Sequence, residues 1–357
     1  MTIPNIQSLA RLTAATFFVL ALSPLSIADS HIWNIEQRQL PPPAAASVQL
    51  RQSIASATAP SVAMRQLSFK DNATFNWDKV ISERATASNV LAQQLVTSLG
   101  ITINNETIAG VNVYHLTPKQ LDPQFKDRLF LYVHGGAYVF GGGFSGVSEA
   151  AMIANASNIQ VLSVDYRMPP SHPFPAAVDD VLAVYKHLLK SMPATSIAIG
   201  GTSAGGGLAL ASVHKFKAEQ LELPAAIYTG TPWADLSKTS DSLYTNEGID
   251  RVLVAYEGLL KAGALLYADG NDLKHPLISP VYGDFSGFPP VYMVTGTRDM
   301  LLSDTARVHR KLRIAGITAD LNVYEGMSHA GYAFNPGSPE SKQTYSEMKI
   351  FLSTHLR

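Results

Sequence analysis

A serine flanked by small residues is the feature that most restricts what this chain can fold into. The segment Gly201–Gly205 (Gly-Thr-Ser-Ala-Gly) follows the apolar run Ile197–Gly200 and precedes the small, helix-compatible stretch Leu208–Ser212. A strand, a Gly-x-Ser-x-Gly turn and a helix together build a nucleophile elbow, which exposes the serine oxygen at the end of a sheet. The glycines let strand and helix approach closely. Because five residues can match by chance, the remaining parts of such a site must be found elsewhere.

A base and an acid follow the serine in the order that this turn requires. A serine hydroxyl is a weak nucleophile unless a histidine takes its proton and a carboxylate holds that histidine in the right tautomer. Asp299 follows the β-rich run Val291–Thr295, and His329 follows the run that ends at Tyr324. Both therefore lie at the carboxyl ends of predicted strands, where open α/β sheets place their ligands. We predict Ser203, Asp299 and His329 as the catalytic residues.

Two other carboxylates compete for the role of the acid. Asp304 lies five residues after Asp299, but it fits the first turn of the predicted helix Ser303–Ala315, where the helix dipole favours a negative charge. Glu325 lies too near His329 in the chain to reach around it comfortably. Asp299 is therefore the preferred acid.

An early glycine loop is the candidate for binding the oxyanion that forms when serine attacks a carbonyl. Gly135 and Gly136 follow the predicted strand Leu129–Val133, and glycines let a backbone turn its N–H groups inward. We expect the N–H groups of Gly136, Ala137 and Ala204 to bind the developing charge, with Gly135 shaping the turn. Each such donor stabilises the transition state by about 3 kcal/mol.

One glycine pattern suggests a different chemistry. Gly141, Gly143 and Gly146 spell Gly-x-Gly-x-x-Gly, and Asp165 follows at the distance typical of a dinucleotide site. In such a site the first glycine lies in the turn directly after a strand. Here the preceding strand ends near Val133, several residues too early. We therefore interpret these glycines as loop residues.

Composition excludes several classes of function. The 357 residues carry a net charge of −1, and only 15% are charged, so no polyanion-binding surface is indicated and nucleic acid is not an expected partner. Hydrophobic residues make up 46% of the chain, enough for a large core. The sequence contains no cysteine, which excludes disulfides, thiol catalysis and cysteine-bound zinc. The predicted reaction needs neither a metal nor an organic cofactor.

The first 28 residues have the pattern of a signal peptide. Arg11 precedes the apolar stretch Leu12–Leu22, and Ser26-Ile27-Ala28 offers small residues at the positions that a signal peptidase reads. We expect cleavage before Asp29 and export to the periplasm or medium, with no stable membrane span after processing. An uncleaved membrane anchor is the alternative.

The rest of the chain predicts an α/β fold with a mostly parallel central sheet flanked by helices. Short β-rich runs alternate with helical stretches from Val111 onward, which favours that architecture. Residues 29–100 read as a linker and two helices, 101–357 as the catalytic domain, and 235–287 as an insertion over the carboxyl edge of the sheet. The insertion is predicted to be helical over Val252–Tyr267.

In these motifs and in their order, the chain resembles the bacterial hormone-sensitive-lipase family of esterases, which have the α/β-hydrolase fold. The resemblance rests on six segments in the order of the family: His134–Ala137, Asp165–Pro170, Pro173–Asp180, Gly201–Gly206, Asp299–Asp304 and Glu325–Ala330. Thr202 resembles the branch whose elbow reads Gly-Thr-Ser-Ala-Gly. Two departures are Ala137, where the family has a third glycine, and Ser171, where it commonly has a glutamate.

The resemblance implies a helical cap, formed by the N-terminal helices and the insertion, over a serine esterase. The substrate is then a small- or medium-chain acyl ester or a lactone, and a homodimer is compatible with the family. It also implies that His134, Tyr166, Arg167 and Asp179, with Asp180, support the site structurally. Two alternatives stay open: a binding protein without catalysis, as in plant receptors of this family that lack the histidine, and hydrolysis of amides or polyesters.

Overall fold

The computed structural model describes residues 39–58, 61–67 and 75–357, and the predicted signal peptide lies outside them. The compact unit that carries the fold comprises Pro42–Arg357. The strands are β1 (Thr102–Ile108), β2 (Val111–Thr117), β3 (Leu129–Val133), β4 (Gln160–Asp165), β5 (Ile197–Thr202), β6 (Ala226–Gly230), β7 (Val291–Gly296) and β8 (Ala319–Tyr324). The helices are α1 (Val48–Ser56), α2 (Val62–Leu67), α3 (Trp77–Leu99), α4 (Val147–Ser157), α5 (Ala176–Leu188), α6 (Ala204–Ala218), α7 (Ser242–Thr245), α8 (Lys261–Ala268), α9 (Leu302–Ile314), α10 (Gly331–Phe334) and α11 (Pro339–His355).

The eight strands of this part of the chain form one sheet in the order β1-β2-β4-β3-β5-β6-β7-β8. β2 runs antiparallel to both of its neighbours, β1 and β4. All pairs from β4 through β8 are parallel. The predicted α/β fold with a mostly parallel sheet is therefore confirmed. The carboxyl ends of β3, β5, β7 and β8 all lie at one edge of the sheet, because parallel strands point the same way.

The burial of the strands explains why the sequence pattern predicts most of them and fails to predict one. Every residue of β3, β5, β6 and β7 is buried, so these strands appear as continuous apolar runs. β1 (sequence TINNETI) is an exposed edge strand with no apolar alternation, and the sequence analysis missed it. It forms because Ala109 and Gly110, both at positive φ, turn the chain into a hairpin with β2.

Helices cover both faces of the sheet, as predicted. One core cluster includes Val178 of α5, Leu208 of α6 and Val308 of α9. The other includes Ile153 of α4 and Leu352 of α11. The central strands are therefore buried on both sides, which the parallel arrangement requires.

The insertion between β6 and β7 is less helical than predicted. The sequence predicts a helix over Val252–Tyr267, but the regular helix α8 begins only at Lys261. Glu257 has ψ 126° and Gly258 has φ 112°, which are not helical values. The backbone of Gly258 lies against that of α2, since a Cβ there would be 2.6 Å from the Arg65 carbonyl oxygen. This close approach explains why glycine interrupts the helix.

None of the helices in the described part of the chain has both the length and the apolar character needed to cross a bilayer.

Replacing Gly205 with alanine is expected to destabilise the fold strongly. A Cβ at Gly205 would collide with the Val133 carbonyl oxygen and would lie 2.7 Å from the carbonyl carbon of His134. Both obstacles are backbone atoms at the end of β3, so relief requires the strand and helix to move apart. We expect Gly205→Ala to lower the free energy of unfolding by about 3 kcal/mol. Denaturant titration measures this loss, and an unchanged midpoint would contradict the close approach.

Candidate active site

Ser203 lies on a tight turn between β5 and α6. Its backbone has φ 63° and ψ −126°, values that a non-glycine residue rarely adopts. The turn is held by hydrogen bonds from Ser203 N to the Gly230 carbonyl (2.8 Å) and from Trp233 N to the Ser203 carbonyl (2.9 Å). The chain also needs Gly201 here, because a Cβ at this position would collide with the Val133 carbonyl oxygen. The predicted strand, turn and helix are thus all present.

Asp299 and His329 form a buried hydrogen-bonded pair. The Nδ1 atom of His329 lies 3.1 Å from Oδ1 of Asp299. The same carboxylate accepts hydrogen bonds from the backbone N–H of Leu301 (2.8 Å) and from the Thr295 hydroxyl (2.9 Å). Asp299 is completely buried. With Nδ1 committed to the carboxylate, Nε2 is the ring nitrogen left to exchange a proton.

The environment of His329 favours its protonated form. Burial by itself lowers the pKa of the ring, but the charge of Asp299 and the hydrogen bond to it outweigh this effect. The result is a pKa above the usual value for histidine. A buried imidazole with a stabilised positive charge is suited to take a proton during a reaction.

The segments that carry Ser203 and His329 meet beneath the site. Thr202, directly before the serine, shares a 2.7 Å hydrogen bond with the hydroxyl of Tyr332, three residues after the histidine. Within the described part of the chain, the Ser203 hydroxyl has no hydrogen-bond partner. The structure therefore joins His329 to Asp299 and does not place it in hydrogen-bond contact with the serine. Such contacts are often long without substrate and shorten in the complex.

The glycine loop after β3 lies directly against the serine. A Cβ on Gly135 would be 3.3 Å from the Cβ of Ser203 and 2.6 Å from the Thr202 carbonyl oxygen. Gly136 has φ 117° and Ala137 has φ 55°, so the backbone turns sharply at both residues. Of the described residues, none accepts a hydrogen bond from the N–H of Gly136 or of Ala137.

The side chains of His134 and Tyr166 pack together and form hydrogen bonds with the backbone of this loop. The two rings are stacked with their centroids 4.1 Å apart. The Tyr166 hydroxyl donates to the His134 carbonyl (2.7 Å), and His134 Nδ1 lies 2.8 Å from the Gly135 carbonyl oxygen, to which it can donate. Burial lowers the pKa of His134, which favours the neutral ring.

The side chain of Arg167 forms hydrogen bonds with Asp180 and not with Asp179. The guanidinium of Arg167 donates to both carboxylate oxygens of Asp180, at 2.7 and 3.0 Å, and Asp180 is almost completely buried. Asp179 is exposed on α5 and makes no side-chain hydrogen bond within the described residues, although its charge helps to raise the pKa of Arg167. Neighbouring helix residues point about 100° apart, and of these two it is Asp180 that forms hydrogen bonds with Arg167. A supporting role for Asp179 stays a prediction.

The competing residues have other partners. Asp304 is completely buried in α9, and its carboxylate accepts from the backbone N–H groups of Ala234 (2.9 Å) and Asp235 (2.8 Å). It thus anchors the start of the insertion instead of bonding to His329. Asp165, at the end of β4, is the ribose ligand that the alternative dinucleotide site would use, and it accepts from Gly143 N at 2.7 Å in the loop after β3. Among the residues that the structure describes, no group of three or more acidic or histidine side chains is arranged to hold a metal ion.

Glu149 is a residue beneath the site that the sequence analysis missed. It is buried in α4, and its carboxylate accepts hydrogen bonds from the hydroxyls of Thr202 (2.7 Å), Tyr228 (2.9 Å) and Tyr132 (2.9 Å). Burial raises its pKa, and these hydroxyl donors oppose the increase. Glu149 lies 53 residues before Thr202 in the chain. No local pattern marks such a long-range contact.

Comparisons with known proteins agree with this geometry. Residues 130–333 match a family described by the alpha/beta hydrolase fold. An acetyl-hydrolase from Streptomyces hygroscopicus is 32% identical over 265 residues, which is 74% of this chain and 87% of that protein. The crystal structure of an esterase, E25, is 45% identical, with a TM-score of 0.88 over 91% of this chain and 99% of the other.

A further crystal structure, of an esterase from the bacterial hormone-sensitive lipase family, is 30% identical with a TM-score of 0.72. It covers 84% of this chain, which in turn spans 100% of that one. The resemblance on six motifs is therefore confirmed at the level of the family, while membership of the Gly-Thr-Ser-Ala-Gly branch stays a prediction. The chain belongs to the alpha/beta-hydrolase family, with the esterases of the bacterial hormone-sensitive lipase family, and is a carboxylic-ester hydrolase.

Proposed function

We propose that the protein hydrolyses short- to medium-chain acyl esters through an acyl-enzyme on Ser203. The buried hydrogen bond between Asp299 and His329, at the same sheet edge as the half-buried serine turn, is the observation that carries this proposal. Nε2 of His329 takes the proton of Ser203, and the serine oxygen bonds to the carbonyl carbon of the ester. His329 then gives that proton to the leaving alcohol as the ester C–O bond breaks. Water, activated by the same histidine, releases the acid and frees Ser203.

The oxyanion of each tetrahedral intermediate is bound in this proposal by backbone N–H groups. Those of Gly136 and Ala137 have no acceptor among the described residues, and Ala204 begins α6, where helix N–H groups are unpaired. The closeness of Gly135 to Ser203, where an added Cβ would lie 3.3 Å from the serine Cβ, supports this role for the loop. A backbone donor is already oriented before the reaction, so it stabilises the developing charge without reorganisation.

The proposed cap consists of α1–α3 and the insertion at residues 235–287. An apolar cluster that includes Trp77 of α3, Val139 of the loop after β3, and Ala262 of α8 supports this assignment. These side chains join both cap segments to the loop that follows the oxyanion donors. A small acyl group is supported by the relative named as an acetyl-hydrolase.

A series of p-nitrophenyl esters tests the substrate class. We expect the highest kcat/KM for the acetate or the butyrate and a steep fall towards the laurate, because a closed cap limits the length of the acyl chain. The corresponding p-nitroanilides and a polyester film test the alternative substrates in the same assay. Failure to hydrolyse any ester in the series would contradict the proposed function, and a preference for the laurate would contradict the proposed acyl-chain range.

A further inference from the structure

Asp250 is a buried carboxylate in the insertion that neither the sequence motifs nor the proposed reaction uses. It follows α7 and has no solvent exposure. Within the described part of the chain, no lysine or arginine forms an ion pair with it. A buried charge without an ion partner is costly unless hydrogen bonds compensate it.

Four backbone N–H groups bind this carboxylate. Oδ2 accepts from the N–H of Met300 (2.9 Å) and from the N–H of His329 (3.3 Å). Oδ1 accepts from Val252 (2.8 Å) and Leu253 (3.2 Å) in its own loop. Met300 directly follows Asp299. A single oxygen of Asp250 thus bridges the loop that carries the acid and the loop that carries the histidine.

Other residues of the same segment hold the same two loops. The Asn246 side-chain amide donates to the carbonyl oxygen of Asp299 at 2.8 Å. The backbone N–H of Arg251 donates to the Ser328 hydroxyl at 3.3 Å. The segment from Asn246 to Leu253 therefore contacts the backbone on both sides of the Asp299–His329 hydrogen bond. The segment is thus bonded to both the loop of the acid and the loop of the histidine.

Asp250 also contributes charge. The charged groups that face it are Asp299, on the loop after β7, and His329, on the loop after β8. Burial raises the pKa of Asp250, the charge of Asp299 raises it further, and His329 lowers it. When ionised, it adds a second negative charge close to the imidazole, which stabilises the protonated ring as Asp299 does.

We propose that Asp250 is a positioning residue that ties the insertion to the Asp299–His329 pair and so couples the cap to proton transfer. The inference rests on the proposed function, since it assigns Asp250 to the alignment of the same base. A misplacement of reacting groups by about 1 Å can cost on the order of 100-fold in rate. Loss of the bridge should therefore appear in kcat.

Asp250→Asn tests the proposal with nearly the same side-chain volume. Whichever way the amide is turned, its nitrogen faces N–H donors, and the charge is lost. We expect kcat to fall by on the order of 10- to 100-fold with little change in KM. The acid limb of the pH–rate profile should move to lower pH, because His329 loses a stabilising charge. The matched control is Asp241→Asn, an exposed residue of the same insertion that is expected to behave as wild type.

Folding and the main proposal are tested separately. Thermal unfolding and titration with a p-nitrophenyl phosphonate count the folded, reactive molecules, and kcat is expressed per reactive molecule. A wild-type kcat, or a loss of kcat with an unmoved pH limb, would overturn the role of Asp250. If Asp250→Asn does not fold, Asp250→Ser replaces it, and failure of both to fold would assign the residue to folding instead. Wild type and Ser203→Ala, measured alongside, show whether the proposed function itself holds.

Discussion

Ser203→Ala lowers kcat/KM for p-nitrophenyl butyrate by on the order of 10⁵-fold. The variant removes the oxygen that attacks the ester in the proposed first step, while the fold around it is retained. The turn is held by backbone hydrogen bonds of Ser203, Gly230 and Trp233, and alanine keeps all of these. Residual hydrolysis comes from water attacking an ester that the backbone N–H groups still polarise.

The control for this variant is Ser98→Ala, an exposed serine on α3 whose hydroxyl donates to the Leu95 carbonyl and to no other residue that the structure describes. It should keep the wild-type kcat/KM. Circular dichroism and thermal unfolding establish that both proteins are folded. A Ser203→Ala protein that kept wild-type turnover would remove the serine from the mechanism.

Asp299→Asn is expected to lower kcat by on the order of 10³-fold and to change the pH dependence. The negative charge that stabilises the His329 imidazolium is lost, so the pKa of the ring falls. His329 works as a base only when neutral, so activity is lost as the pH falls through its pKa. In the wild type this limb should lie above the usual histidine range, because the pKa of His329 is raised. In the variant it should move to lower pH.

Glu325→Gln is the matched control, since Glu325 is the exposed acid that also lies near His329 in the sequence. Its pH–rate profile should coincide with that of the wild type. An equal loss of kcat in both variants, or an acid limb that does not move in Asp299→Asn, would contradict the assignment of the acid.

The parts of the site that the sequence predicted are those with a local physical signature. The elbow needs small residues around Ser203, the oxyanion loop needs glycines, and Asp299 and His329 each follow a buried strand. Each of these requirements is met by residues within a short stretch of the chain. The strands of the sheet could be predicted for the same reason, since buried parallel strands appear in the sequence as apolar runs.

The parts that were missed depend on contacts between distant segments. The roles of Glu149 and Asp250 depend on hydrogen bonds from hydroxyl and N–H groups that lie far away in the sequence and come close only in the folded chain. Which of Asp179 and Asp180 bonds to Arg167 depends on the rotation of α5 against the sheet, which a motif does not specify. The kink at Gly258 likewise follows from its contact with α2.

Covalent labelling of the serine tests the central claim most directly. A p-nitrophenyl alkylphosphonate mimics the tetrahedral intermediate and remains bonded to the attacking oxygen. After complete inhibition, intact-mass measurement should show one adduct per chain, and peptide mapping should place it on Ser203. The Ser203→Ala protein should gain no mass. An adduct on any other residue of a fully inhibited wild-type protein would contradict an acyl-enzyme on Ser203.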